Sequence, residues 1–280
     1  MPTFATSRPI SVDLRVTMGA VRITAGTRAE TVVETVPTDR SKEADRAAAQ
    51  HTRVEFNDGE LLIHTPKKLF GDAGSVQISI ELPAGSRLAG TGAMGDLHVV
   101  GEFGDCTFKT AYGQIRLDRV GRASLDSGYG DITVGRAAGD AAIHATSGAV
   151  RVGRVDGGLS VRTVNGPSVV DEVAGTVNAT STNGDITVRL AHEGVTAHCV
   201  NGTIRIGGVS RGRLDLKSVA GDVEIGVDKD AKAWLNVRTT SKRGSVRNTL
   251  GASETSVRSD ATVAVHAVTS SGDIVVHPAA

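Results

Sequence analysis

The stretch GDITV occupies Gly130–Val134 and returns unchanged at Gly184–Val188, with first residues 54 positions apart. A glycine opens a similar segment at Gly95 (GDLHV), Gly113 (GQIRL), Gly148 (GAVRV), Gly166 (GPSVV), Gly202 (GTIRI) and Gly221 (GDVEI). From Gly95 to Gly221 these glycines follow one another at 17 to 19 residues, so 54 is three steps of 18. Looser copies stand at Gly244 (GSVRN) and Gly272 (GDIVV), and Gly19 (GAVRI) reads as an early copy before an insertion. A fixed period of this kind is the mark of a repeat architecture.

Each repeat has one internal order. Positions two and four after the glycine are apolar, as in Ile132 and Val134 or Ile204 and Ile206. Alternation with period two is the pattern of a half-buried strand. Before the glycine a second alternating segment holds Phe108, Leu125, Ile143, Val161, Ala179, Ala197 and Leu216 at position minus five. Position minus three holds small, mostly hydroxyl residues: Thr110, Ser127, Ala145, Thr163, Ser181, Cys199 and Ser218. Two strands per repeat fit either a β-solenoid, whose coils stack in parallel, or a long antiparallel β-meander. Asn-Gly at 165–166, 183–184 and 201–202 is a hairpin signal and supports the meander. The constant period and the columns of like residues support the solenoid. Asn165, Asn183 and Asn201 share one slot, which Tyr112 and Tyr129 fill in earlier repeats. In-register parallel stacking sets such residues about 4.8 Å apart, where amides form ladders and rings stack. The fold expected is a single-stranded parallel β-helix of about 18 residues per coil, with the meander as the alternative.

Residues 1–87 break the period and read as a strand-rich N-terminal cap. Strands are expected at 11–16, 20–25, 30–36, 53–58, 60–65 and 76–83, with a hairpin turn at Asp58-Gly59. One short helix is expected near 39–51, with Thr38 or Asp39 as its N-cap. The basic, glycine-containing segment 67–75 reads as a surface loop. The solenoid is expected over 88–280, with irregular coils from about 228. Trp234, the single tryptophan, is expected to plug the open end.

Composition narrows the function. Lys plus Arg and Asp plus Glu each number 31, so no net field steers the chain onto nucleic acid or anionic lipid. Aromatic residues are 3% of the chain, which suits a thin core of small branched side chains. Cys106 and Cys199 make no disulfide framework and are expected as reduced thiols in or near the core. The first sixteen residues lack a basic n-region and an apolar h-region, and no apolar run is long enough to span a bilayer. The expectation is a cytoplasmic chain without direct membrane insertion, linked to a membrane only through a partner.

Outward positions on a solenoid face form columns, so a catalytic site would require residues that converge within or between columns. Asp131 and Asp185 share the position after the glycine, yet three coils put them roughly 14 Å apart, beyond the carboxylate spacing of glycosidases. Aspartates there are expected to satisfy turn amides. Arg116, Arg151 and Arg205 share position plus three and belong to a mixed-charge, solvated face. His144 and His198 share a column but lie three coils apart, too far for one metal. No phosphate-cradling or nucleophile-elbow motif is present. No catalytic, cofactor-binding or metal residue is assigned.

The units TSGAVRV, TNGDITV and SSGDIVV, following a strand around Leu61–Ile63 and the segment VQISIELPAG (Val76–Gly85), resemble the bacterial putative-adhesin family of β-strand-repeat proteins, grouped with Toastrack-type domains. That resemblance implies a structural repeat without catalytic residues and an association with envelope-stress regulators. Three functions are weighed: a protein-binding or adhesin-like module, a self-assembling scaffold, and a polysaccharide-active β-helix enzyme acting through Asp131 or Asp185. The first is preferred, with an unidentified protein partner and no nucleic acid.

Overall fold

Each repeat glycine from Gly113 to Gly221 stands at a corner between two strands that pair in parallel with their copies one coil away. The computed structural model describes residues 1–66, 74–242, 244–250 and 262–279. Among them are twenty-five strands and one helix. The chain is an all-β solenoid, and the antiparallel meander is excluded by the pairing. Leu125 faces Phe108 and Ile132 faces Ile115. Val161 faces Ala179, which faces Ala197 in the next coil. The Asn-Gly pairs are corners of parallel coils rather than hairpin turns. Gly184 has φ 145°, and a Cβ there would overlap the carbonyl oxygen of Gly166 below it. The 18-residue period is therefore the distance between backbone corners that only glycine fits.

Contacts divide the chain into two units, Met1–Ala138 and Gly139–Ala280. In the first, the long strand Ser11–Gly26 runs beside Arg87–Glu102 over its whole length, with Gly19 opposite Gly95. The segments 11–16 and 20–25 are thus one strand, because Gly19 turns the corner at φ 144° without ending the ladder. The other edge of Ser11–Gly26 pairs with Glu60–His64 and Val76–Pro83. The first coil in sequence is therefore the second in space. Antiparallel strands close this end. Arg53–Asn57 joins Glu60–His64 through a turn in which Asp58 and Gly59 both have positive φ. Glu30–Pro37 lies against Val76–Pro83, and the helix Glu43–Gln50 packs on both.

Neither Thr38 nor Asp39 caps that helix. Lys42 holds the N-cap with no side-chain bond. Asp39 accepts from the amide and hydroxyl of Ser41, making its own turn. Asp45, in the first helical turn, accepts from the amides of Asp39 and Ser75 and so ties the helix to the sheet.

The second unit repeats the exchange of order at its other end. Gly212–Ala220 pairs with Thr262–Ser271, which pairs in turn with Lys232–Thr239. The corresponding second strands follow suit, Val223–Val227 with Ile274–Pro278 and the latter with Val246–Asn248. The last coil in sequence is slotted in as the penultimate layer, and the stretched spacing after Gly221 reflects this. Lys232–Thr239 is the outer strand among the described residues. Trp234 lies on its outward side and is 74% exposed, so it does not plug the coil. Ala233, Leu235 and Val237 face inward in its place and are only half-buried. The expected loop at 67–75 falls largely outside the described residues, as do 251–261.

The interior is mainly aliphatic, with Val150, Val155, Val173, Val188, Ile204 and Ile225 fully buried in the second unit, while Phe103 and Phe108 are buried in the first. Cys106 and Cys199 are unpaired and buried. Burial alone pushes the Cys106 thiol up to about 12.

Candidate functional site: the outward faces of the coils

The polar residues of the repeat bond from coil to coil. Asn183 donates to Asn165 at 2.9 Å and Asn201 donates to Asn183 at 2.8 Å. The rings of Tyr112 and Tyr129 stack with centroids 5.0 Å apart. The aspartates after the glycines hold amides, but of the next coil rather than of their own turn. Asp96 accepts from Gln114 N, Asp185 from Thr203 N and Asp222 from Asp273 N, each at 2.8 Å. The minus-three column has a task that sequence reading missed. Several of its side chains reach back to the glycine carbonyl of the coil before, as Ser218 Oγ does to Gly202 at 3.2 Å and Cys199 Sγ to Gly184 at 3.4 Å. The signal was there in the choice of small hydrogen-bond donors at a buried position.

The second unit presents two walls of different character. On the wall of strands that follow the glycines, charges pair between coils. Arg154 meets Glu172 at 2.9 Å, Arg189 meets Asp171 at 3.3 Å, and Arg205 lies between Asp185 and Glu224 at 3.4 and 3.5 Å. The hydrogen bond with His192 holds the Glu172 carboxyl below its ordinary range, and Arg154 adds to this. Arg205 is therefore part of a solvated, mixed-charge wall, as its column predicts.

The wall of strands that precede the glycines differs. From Leu159–Asn165 to Lys232–Thr239 its outward positions carry Arg162, Arg213, Lys217, Lys232 and Arg238 against one carboxylate, Asp215. Asp215 pairs with Lys217 at 3.2 Å, and among the described residues the other four cations have no ion pair. His198 and His266 stand between them. Register places Lys217 beside Val268 and Val268 beside Arg238. Here lies a solvent-open hollow of ≈ 590 Å³ lined by His198, Lys217, Arg238, His266, three valines and several hydroxyls. Val200, Val219 and Trp234 are exposed on the same wall. His198 Nε2 has no hydrogen-bond partner.

Among the described residues no three His, Cys, Asp or Glu side chains cluster as a metal-binding set. No helix among them is long and apolar enough to cross a membrane.

The Toastrack DUF4097 family profile matches residues 10–277. No curated protein matches the sequence. Three crystal structures resemble the chain in outline. One, described as a "putative adhesin" from Parabacteroides merdae, is 8% identical, with 98% of this chain and 94% of that chain covered and a TM-score of 0.39. Another, described as a "putative lipid binding protein" from Parabacteroides distasonis, is 12% identical, with 98% and 95% covered and a TM-score of 0.37. A third, a "putative adhesin" from Bacteroides fragilis, is 11% identical, with the same coverage and a TM-score of 0.31. Similarity at this level assigns no function.

Proposed function

The chain belongs to the Toastrack DUF4097 family, and from that premise we propose that it is a non-enzymatic, adhesin-like module that binds a protein partner through the outer walls of its coils. The observation supporting this is the engagement of the repeat's polar groups. Asp185, the carboxylate an enzymatic reading would need, holds Thr203 N and lies beside Arg205. Asn183 and Ser218 are likewise bonded between coils. What remains outward are rows of side chains at strand spacing, which offer area and pattern rather than a convergent reaction centre. The partner is read as a component of envelope-stress signalling. The test is capture on the immobilised full chain from native lysate of the source cells. A reproducible partner, lost on outward substitutions in one wall, supports the reading; repeated capture of nothing overturns it.

A second reading, self-assembly, draws on one feature. Lys232–Thr239 pairs on one side only among the described residues, and such an edge can recruit a strand from another copy. Light scattering at high concentration decides it, since a monodisperse monomer excludes assembly through that edge.

A further inference from the structure

We propose that the cationic wall of the second unit docks on a bilayer containing anionic lipid, with headgroup phosphates in the hollow beside Lys217 and Arg238 and Trp234 at the interface. This goes beyond the protein-partner reading and does not rest on it.

Four observations converge. The first is charge. A chain of zero formal charge gathers five cations and one carboxylate on this wall, whereas on the opposite wall Arg154, Arg189 and Arg205 each lie against a carboxylate. Four of the five cations have no carboxylate partner among the described residues, and an external anion would complement them. The second is layout. Arg213 and Lys217 lie on Gly212–Ala220 and Arg238 on Lys232–Thr239, with Thr262–Ser271 between them, which spreads the charge over a sheet surface rather than into a cleft. A plane of phosphates matches a spread of cations, and juxtamembrane cations are drawn to it by the negative surface potential.

The third is the apolar content. Val200, Val219 and Trp234 are interleaved with the cations, and Trp234 is 74% exposed. Tryptophan favours the headgroup level, where its ring is apolar and its N–H remains wet. An acidic soluble protein would not require an isolated, protruding indole, and nucleic acid would call for several aromatic platforms where this wall has one. The fourth is the hollow itself. His198, Lys217 and Arg238 edge it together with hydroxyl groups.

Trp234 is the single tryptophan, so intrinsic fluorescence reports on this wall directly. The full chain is mixed with vesicles of phosphatidylcholine alone or of phosphatidylcholine with phosphatidylglycerol, at low and high salt. The expected result is co-sedimentation with the phosphatidylglycerol vesicles only, a blue-shifted emission, and loss of both at high salt. The variant R213A/K217A/R238A should bind roughly a hundredfold more weakly, about fivefold for each cation. R189A/R205A, on the opposite wall, should bind as the unaltered chain does. No sedimentation with anionic vesicles, or equal weakening by the two variants, overturns the proposal. So does binding to a soluble polyanion such as heparin or polyglutamate without binding to vesicles. The fluorescence experiment uses the unaltered chain and stands even if a variant folds poorly.

Discussion

At Gly184 one missing methyl decides whether a coil can close. Its φ of 145° and the carbonyl of Gly166 beneath it leave no room for a side chain. Gly184→Ala should therefore lower stability by at least ~2 kcal/mol in urea unfolding, from strain and overlap together. Gly26→Ala is the contrast, because its Cβ would meet nothing within 4 Å and its φ is ordinary; it should be neutral or slightly stabilising. A second residue-scale effect belongs to Cys106. Its thiol is held neutral in the fold, raised from 9.0 to about 12. The folded state thus keeps a proton that the unfolded state releases above pH 9. This contribution is complete below pH 9 and is lost as pH climbs towards 12, by a few kcal/mol in order of magnitude. Alkaline unfolding curves of the unaltered chain and Cys106→Ala should converge across that window. Parallel curves would mean that the thiol is not protected.

The elements at the two ends obey a common rule: the coil nearest each terminus is paired on both edges. Ser11–Gly26 lies between Arg87–Glu102 and the pair Glu60–His64 and Val76–Pro83. Thr262–Ser271 lies between Gly212–Ala220 and Lys232–Thr239. Chain ends ordinarily fray first, but here the terminal strand loses two ladders on leaving while the strand before it loses one. Native-state hydrogen exchange should show slower exchange in Thr262–Ser271 than in Lys232–Thr239, against their order in sequence. The reverse ranking would show that the outer coil, not the terminal one, holds this end together. The arrangement also explains Trp234. The inward positions of the outer strand are Ala233, Leu235 and Val237, and parity sends the indole to the solvent side.

Over the whole chain, 31 cations balance 31 anions, and this sum conceals how the fold sorts them. The solenoid itself was legible, because the glycine period and the Asn165, Asn183, Asn201 column report backbone corners and side-chain ladders directly. The cationic wall was not. Counting back from Gly244 puts Thr240 in the column of Lys217, whereas register puts Arg238 there, since the corner before Gly244 is two residues longer. Arg238 joins Lys217 only through Val268, from a strand some thirty residues on, and no local pattern announces a coil inserted out of order. The place of Ser11–Gly26 between Arg87–Glu102 and the strands Glu60–His64 and Val76–Pro83 was hidden in the same way, by pairings that skip over intervening chain. Charge sorting can be tested without any lipid. A surface of evenly mixed charge on a neutral chain passes through a sulfonate resin near pH 7 at low salt. A wall with four cations that have no ion pair among the described residues should instead hold this chain on the resin and release it at moderate salt, because the resin answers to local field rather than to net charge. R213A/K217A/R238A should emerge in the flow-through, and R189A/R205A should still be retained although it removes nearly as much positive charge. Equal loss of retention in both variants would mean that the field belongs to the chain at large and not to this wall.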